Sequence, residues 1–82
     1  MTRLASAHLT ERASELAHDA AAIFHEQIAA AYARAADVCH AVGDDDRSQR
    51  LRERSDKEHR VAGREREAAK AAAHARDTDP DE

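Results

Sequence analysis

Apolar residues recur every three or four positions through the first half of the chain. Steps of three and four bracket the 3.6-residue helical turn, so these residues share one face of an α-helix. We expect that inner face to pack against another helix. A second run at heptad spacing, Leu9, Leu16 and Ile23, lies beside it. The inner face consists of Ala17, Ala21, Phe24, Ile28, Ala31, Ala35, Val38 and Val42.

The pattern stops at Gly43, which predicts a first helix over residues 4–42. Glycine suits the left-handed conformation that ends many helices. Asp46 is the predicted N-cap of a second helix over residues 46–76, with Gln49 as its capping-box partner. A connector as short as residues 43–45 makes antiparallel neighbours. The sequence therefore predicts an all-α fold, an antiparallel two-helix hairpin.

Two further segments of the second half need an interpretation. Gly63 interrupts the second helix and is expected to be tolerated there, at about 1 kcal/mol relative to alanine. Residues 77–82 form a short acidic tail containing the only proline, Pro80, and we predict that this tail is disordered.

The two helices are unequal in apolar content. The second helix offers only Leu51 and Val61 as large apolar residues, and Ser55, Glu58 and Glu65 occupy positions that its inner face should keep apolar. One thin stripe cannot cover the wide apolar face of the first helix. The chain is therefore expected to form a homodimer, a four-helix bundle of two hairpins with the first helix in the shared core. The other interpretation is a loosely packed monomer whose second helix frays.

This surplus apolar surface leads to a functional hypothesis. We expect a small, non-catalytic regulatory or adaptor protein that acts through helix-mediated contact with itself and with another protein. In helix count and turn position the chain resembles the small dimeric hairpin regulators of plasmid copy number, which implies a four-helix bundle and assigns no functional residue. The predicted protein interface consists of Leu9, Leu16, Ile23, Phe24, Ile28, Tyr32 and Val38.

Charge is segregated along the chain. Residues 1–46 hold three basic and eight acidic residues, whereas residues 47–70 hold nine basic and five acidic ones. One explanation is internal neutralisation of an acidic helix by a basic one, in pairs worth about 0–1 kcal/mol each when exposed. The alternative function is a dimeric nucleic-acid-binding regulator that uses a basic stripe along the second helix. We define the basic stripe as Arg47, Arg50, Arg54, Lys57, Arg60 and Arg64.

Six histidines raise the question of a metal site. Glu15 and His18, like Asp37 and His40, have the i, i+3 spacing that di-metal helical bundles use. The two pairs are 22 residues apart, about 33 Å along a helix, so they cannot share a site within one chain. Such short pairs arise by chance in charged helices. We therefore predict no metal and no other cofactor.

The remaining side chains indicate neither catalysis nor a membrane. No phosphate loop, nucleophile elbow or paired-carboxylate site occurs in a recognisable frame, and we expect no enzymatic activity. Cys39 is the only cysteine and lies at the edge of the apolar face, where a buried, inert thiol is expected. A single thiol and the lack of a long apolar segment favour a cytoplasmic protein.

Overall fold

A computed structural model describes residues 3–77, with side chains from residue 9 onward. The described chain contains two helices and no strand, α1 (Arg3–Ala41) and α2 (Asp45–Asp77). The predicted all-α fold is thus confirmed, and both sets of predicted bounds, 4–42 and 46–76, lie within one residue of these. Of the predicted acidic tail only Asp77 falls on the described residues, as the last residue of α2; residues 78–82 lie outside them.

The helices fold back on each other as an antiparallel hairpin about 62 Å long and 17 by 11 Å in cross-section. Residues that face each other advance along α1 as they retreat along α2, which is the order an antiparallel pair requires. The four side-chain contacts that show this order are Ser48 to Ala36, Ser55 to Ala29, Glu58 to His25 and Glu65 to His18.

The turn is a Schellman motif centred on Gly43. Its φ is +85°, the left-handed conformation expected from the sequence. The N–H of Gly43 donates to the carbonyl of His40 at 3.0 Å, and the N–H of Asp44 donates to the carbonyl of Cys39 at 2.8 Å. These two bonds satisfy carbonyls that the end of α1 would otherwise leave without partners. The turn therefore reverses the chain within residues 42–44.

Asp44 caps α2, and the predicted cap at Asp46 is wrong. The Asp44 carboxylate accepts a hydrogen bond from the backbone N–H of Arg47 at 3.2 Å, three residues into the helix. Because the Schellman turn is complete at Asp44, α2 begins at Asp45, and Asp46 is already inside its first turn. The amide of Gln49, predicted to complete a capping box, instead donates to Glu53 at 3.3 Å.

Small residues at seven-residue spacing form the contact line between the helices, which we call the seam. A strict heptad keeps a row of side chains aligned with a neighbouring helix. The three seam alanines of α1 are completely buried, and the four small seam residues of α2 expose at most 5% of their surface. The seam consists of Ala22, Ala29 and Ala36 in α1 and Ser48, Ser55, Ala62 and Ala69 in α2.

Two serine hydroxyls connect the backbones across the seam. Ser48 donates to the carbonyl of Ala36 and Ser55 donates to the carbonyl of Ala29, both at 2.8 Å. Buried hydroxyls need such partners. The expectation that the position of Ser55 should have been apolar was therefore mistaken, because its hydroxyl is both small enough for the seam and fully bonded.

The predicted inner face of α1 does not pack against α2. None of its eight residues is buried; Ala21 and Ile28 are half-buried, and the other six are exposed. Helix α2 contributes mostly alanine and serine to the contact, and small residues pack closest against small residues. Large side chains such as Phe24 would hold the two backbones apart. The alanine heptad of α1 forms the contact instead, and the larger residues face away.

Candidate interaction surfaces

Six large apolar side chains in or at the end of α1 point away from α2. We call this surface the apolar face of α1. Its members expose 52–76% of their surface, and all of them lie off the line of the seam alanines. No large side chain is fully buried anywhere in the described part of the protein. The apolar face of α1 consists of Leu9, Leu16, Ile23, Phe24, Val38 and Val42.

The exposed side of α1 is rich in apolar residues over the middle of the helix. Between Ile23 and Val38 nine residues are exposed, and six of them are apolar. An isolated exposed leucine needs no explanation, but a contiguous apolar patch marks an interaction site. The apolar face of α1 is therefore the first candidate interaction surface.

Five of the seven predicted interface residues belong to this face: Leu9, Leu16, Ile23, Phe24 and Val38. The other two, Ile28 and Tyr32, are half-buried. The ring of Phe24 meets that of His25 edge to face, with centroids 5.7 Å apart and an angle of 67°. That contact orients the Phe24 ring without covering it.

Histidine–glutamate pairs cross the seam on one side. Nδ1 of His18 lies 2.5 Å from a carboxylate oxygen of Glu65, and Nδ1 of His25 lies 2.5 Å from one of Glu58. The His25–Glu58 pair is the more enclosed, with side-chain exposures of 27% and 23%. From the sequence, the positions of Glu58 and Glu65 were expected to be apolar. The structure instead joins each glutamate to a histidine, so these residues help to define the helix register.

Arginine–carboxylate pairs provide the other cross-helix contacts. Arg66 binds Glu26 through Nε and Nη2, at 3.0 and 2.6 Å, and Arg52 reaches Asp37 at 3.3 Å. At the end of the hairpin opposite the turn, which we call the open end, Arg76 pairs with Glu15. The hydrogen bond and the charge of Glu26 raise the pKa of Arg66, and the hydrogen bond to Glu15 does the same for Arg76. These contacts form the internal neutralisation that the charge pattern suggested.

The basic stripe lies away from these pairs, and all six of its residues are exposed. Arg47 approaches the capping residue Asp44 at 3.7 Å. The remaining five cations form no ion pair with any residue of the described chain; they are Arg50, Arg54, Lys57, Arg60 and Arg64. The stripe is therefore a second candidate surface, distinct from the apolar face of α1.

The two carboxylate–histidine spacings do not create a metal site in the hairpin. Glu15 is engaged by Arg76, and His18 by Glu65. Asp37 and His40 likewise have other partners, Arg52 and Asp45. Within the described residues no three side chains of the metal-binding types come together.

The described surface offers shallow depressions in place of an enclosed pocket. One of about 200 Å³ lies over the open end of the seam, lined by Glu15, Asp19, Arg66, Ala69, Lys70 and Ala73. Another of about 560 Å³, lined by Arg60, Gly63, Arg64 and Glu67, is more open to solvent still. Ligand pockets of enzymes are usually enclosed and about 300–1,000 Å³ in volume, so these depressions differ from them in openness rather than in volume alone. Cys39 is a free, half-buried thiol rather than the fully buried one expected.

Comparisons with known proteins place this chain in no family. No family model matches it, and neither the curated proteins nor the solved structures contain a significant match. Across the described residues, neither helix contains a stretch long and apolar enough to cross a bilayer. The surfaces of the hairpin itself are therefore the basis for a functional proposal.

Sequence reasoning missed the cross-helix histidine–glutamate pairs, although a signal for them is present. His18 and His25 are seven residues apart, and so are Glu58 and Glu65. Equal heptad spacing in two antiparallel helices lets both pairs form in one register. The same signal marks the seam, since its alanines and serines also repeat every seven residues.

Proposed function

We propose that this protein is a small, non-catalytic regulatory or adaptor protein that acts through helix-mediated protein–protein contact. The apolar face of α1 is its interface. The observation that carries this proposal is that six large apolar side chains on one helix each remain more than half exposed after the hairpin has formed. An amphipathic helix with such a face is a typical element for docking against other helices.

The energetics favour burial of this face. Fully burying a large apolar side chain contributes about 1.5–3 kcal/mol, so completing the burial of one already half-covered contributes roughly 1 kcal/mol. Six such residues together contribute on the order of 6 kcal/mol per chain before the loss of freedom on association is subtracted. That amount is comparable with the whole stability expected of a domain of this size.

A second copy of the chain is the partner we infer first. Small domains with thin cores often depend on oligomerisation for their stability. The seam buries only alanine and serine, and no large side chain is enclosed within the described hairpin. Two hairpins joined through their apolar faces would form a four-helix bundle with α1 in the shared core. Any part of the face that remains uncovered would be available to a different protein.

The proposal includes a non-catalytic role and a reducing, cytoplasmic setting. The acidic and imidazole groups at the seam, the side chains most suited to chemistry, are engaged with each other or with arginines. Cys39 has no second cysteine in the sequence with which to pair.

Sedimentation equilibrium across a range of concentrations tests the proposal. We expect the unmodified chain to form dimers, and Phe24→Glu to weaken dimerisation by at least about ten-fold, because a carboxylate would have to be desolvated in the interface. His59→Glu is the matched control, since it adds the same charge at an exposed position of α2. A chain that stays monomeric at every concentration would refute self-association. Equal weakening of dimerisation by both variants would show that the interface does not lie on the apolar face of α1.

A further inference from the structure

We propose that the outer surface of α2 binds the phosphate backbone of double-stranded nucleic acid, without recognising base sequence. This surface is separate from the apolar face of α1. Its elements are the five unpaired cations of the basic stripe, Arg50, Arg54, Lys57, Arg60 and Arg64.

The first support is that the cations of α2 fall into two sets, one paired with carboxylates of α1 and one without such partners. Arg52, Arg66 and Arg76 are the ones that bind carboxylates of α1. The acidic residues of α1 therefore neutralise a different set of arginines from those of the stripe. The overall charge of −4 conceals this arrangement, because carboxylates outside the stripe, including the three aspartates of residues 44–46 and the four acidic residues of 77–82, outweigh its positive charge.

The second support is the local balance of charge. From Arg50 to Arg64, the charged residues without an ionic partner on α1 are five cations and two carboxylates, Glu53 and Asp56. Glu53 accepts a hydrogen bond from Gln49. Asp56 lines a shallow groove between the two helices, together with Arg52 and Ser55 of α2 and Ala33 of α1. It therefore lies on the side of the stripe that is nearer to α1. The stripe thus keeps a clear excess of positive charge.

The third support is the shape of the surface. Arg50 and Arg64 are 14 residues apart, about 21 Å along a continuous helix, which corresponds to roughly six base-pair steps of a duplex. Gly63 leaves an open depression beside Arg60 and Arg64, with Glu67 at its edge, and nothing lies within 4 Å of the place where a Cβ would stand. A phosphate can therefore come close to the helix between these two arginines.

The chemistry of the side chains favours a duplex backbone over the other anionic partners. Proteins that bind single strands stack the bases on aromatic rings, and both aromatic residues of this chain, Phe24 and Tyr32, lie in α1. Helices that lie on membranes combine a basic face with large apolar residues at its edge. The exposed residues of α2 between Arg47 and Lys70 include no apolar side chain.

Fluorescence anisotropy with a labelled mixed-sequence DNA duplex of about 30 base pairs tests the inference, starting near 20 mM salt. We expect the full chain to bind, with affinity that falls steeply as salt rises. The triple variant R54Q/K57Q/R60Q should bind at least about ten-fold more weakly, and its salt slope should be smaller by roughly 0.9 for each lost cation. The matched control R12Q/R52Q/R66Q removes the same charge from the pairs with carboxylates. It should lose much less affinity than R54Q/K57Q/R60Q, because it leaves the stripe intact and changes only the long-range field of the chain.

Glutamine is compatible with an exposed helix, and circular dichroism verifies that both variants remain folded. No binding by the unmodified chain at low salt would overturn the inference, and so would equal weakening by the two triple variants. Binding to vesicles that contain anionic lipid, without binding to the duplex, would assign the stripe to a membrane surface instead. Phe24→Glu leaves the stripe intact, so duplex binding and dimerisation are tested independently.

Discussion

The two helices of the hairpin have opposite exposed surfaces although they share one seam. Between Ile23 and Val38, most exposed residues of α1 are apolar, whereas between Arg47 and Lys70 the exposed residues of α2 are polar or charged apart from Gly63. The seam itself is alike on both sides, being built from small residues in a heptad. The difference therefore does not arise from how the hairpin is held together. It is the observation on which we propose an apolar partner for α1 and an anionic partner for α2.

A substitution that disrupts the seam should have the largest effect on stability, because the seam holds the two helices together and so positions both surfaces. Ala29 is completely buried beside the Ser55 hydroxyl. Ala29→Leu should destabilise the hairpin by about 3 kcal/mol, the upper end of what overpacking does in a tight contact. Urea unfolding followed by circular dichroism measures the loss.

Ala30→Leu is the matched control for the seam, since it makes the same change at the exposed neighbouring position. It should leave the hairpin intact and strengthen the apolar surface of α1. If both variants lost the same stability, the contact line between the helices would not be the alanine heptad.

The fold could be predicted from the sequence, because the features that indicate it are local. Helical periodicity, the lack of β-forming residues and a single glycine at a chain reversal each depend on neighbouring residues. The seam was harder to predict because alanine is weakly apolar and occurs on every face of α1. A pattern weighted by hydrophobicity selects Phe24, Ile28 and Val38, while the contact is decided by size and by what α2 offers in return.

The candidate surfaces were predictable in part, and the missing part required the helix register. The surplus of apolar residues on α1 could be counted from the sequence, and most of the predicted interface residues are exposed. Which arginines bind α1 could not be decided, because Arg52 and Arg54 look alike until α2 is aligned with Asp37. The position of a partner on the apolar face could not be decided either, because the contacts within one hairpin do not define contacts outside it.

A substitution at a histidine–glutamate pair beside the seam should have an intermediate effect on the free energy of unfolding. Glu58 is half-buried against His25, whereas Glu53, five residues earlier in the same helix, is exposed. Glu58→Ala should lower the free energy of unfolding by about 1 kcal/mol, since an enclosed histidine loses its hydrogen-bond partner. Thermal and urea unfolding at neutral pH measure the change.

Glu53→Ala is its control, because it gains the same helix propensity and should change stability by no more than about 0.5 kcal/mol. Similar effects of the two substitutions would mean that the pairs across the seam contribute nothing beyond solvated charge. The polar residues of α2 would then be alike on both of its sides.

The smallest expected effect on stability comes from a substitution on the outer side of α2. It tests whether this side, unlike the apolar face of α1, is free of close contact with another molecule. A Cβ at Gly63 would meet nothing within 4 Å, and the glycine is exposed in the middle of a helix. In the hairpin alone, Gly63→Ala should therefore stabilise the protein by about 0.5–1 kcal/mol through helix propensity. Ala71→Gly, at another exposed position of α2, should destabilise it by a similar amount. If Gly63→Ala destabilised the protein while Ala71→Gly behaved as expected, a second molecule would have to approach α2 closely at Gly63. The polar helix would then be part of the interface that we assign to α1.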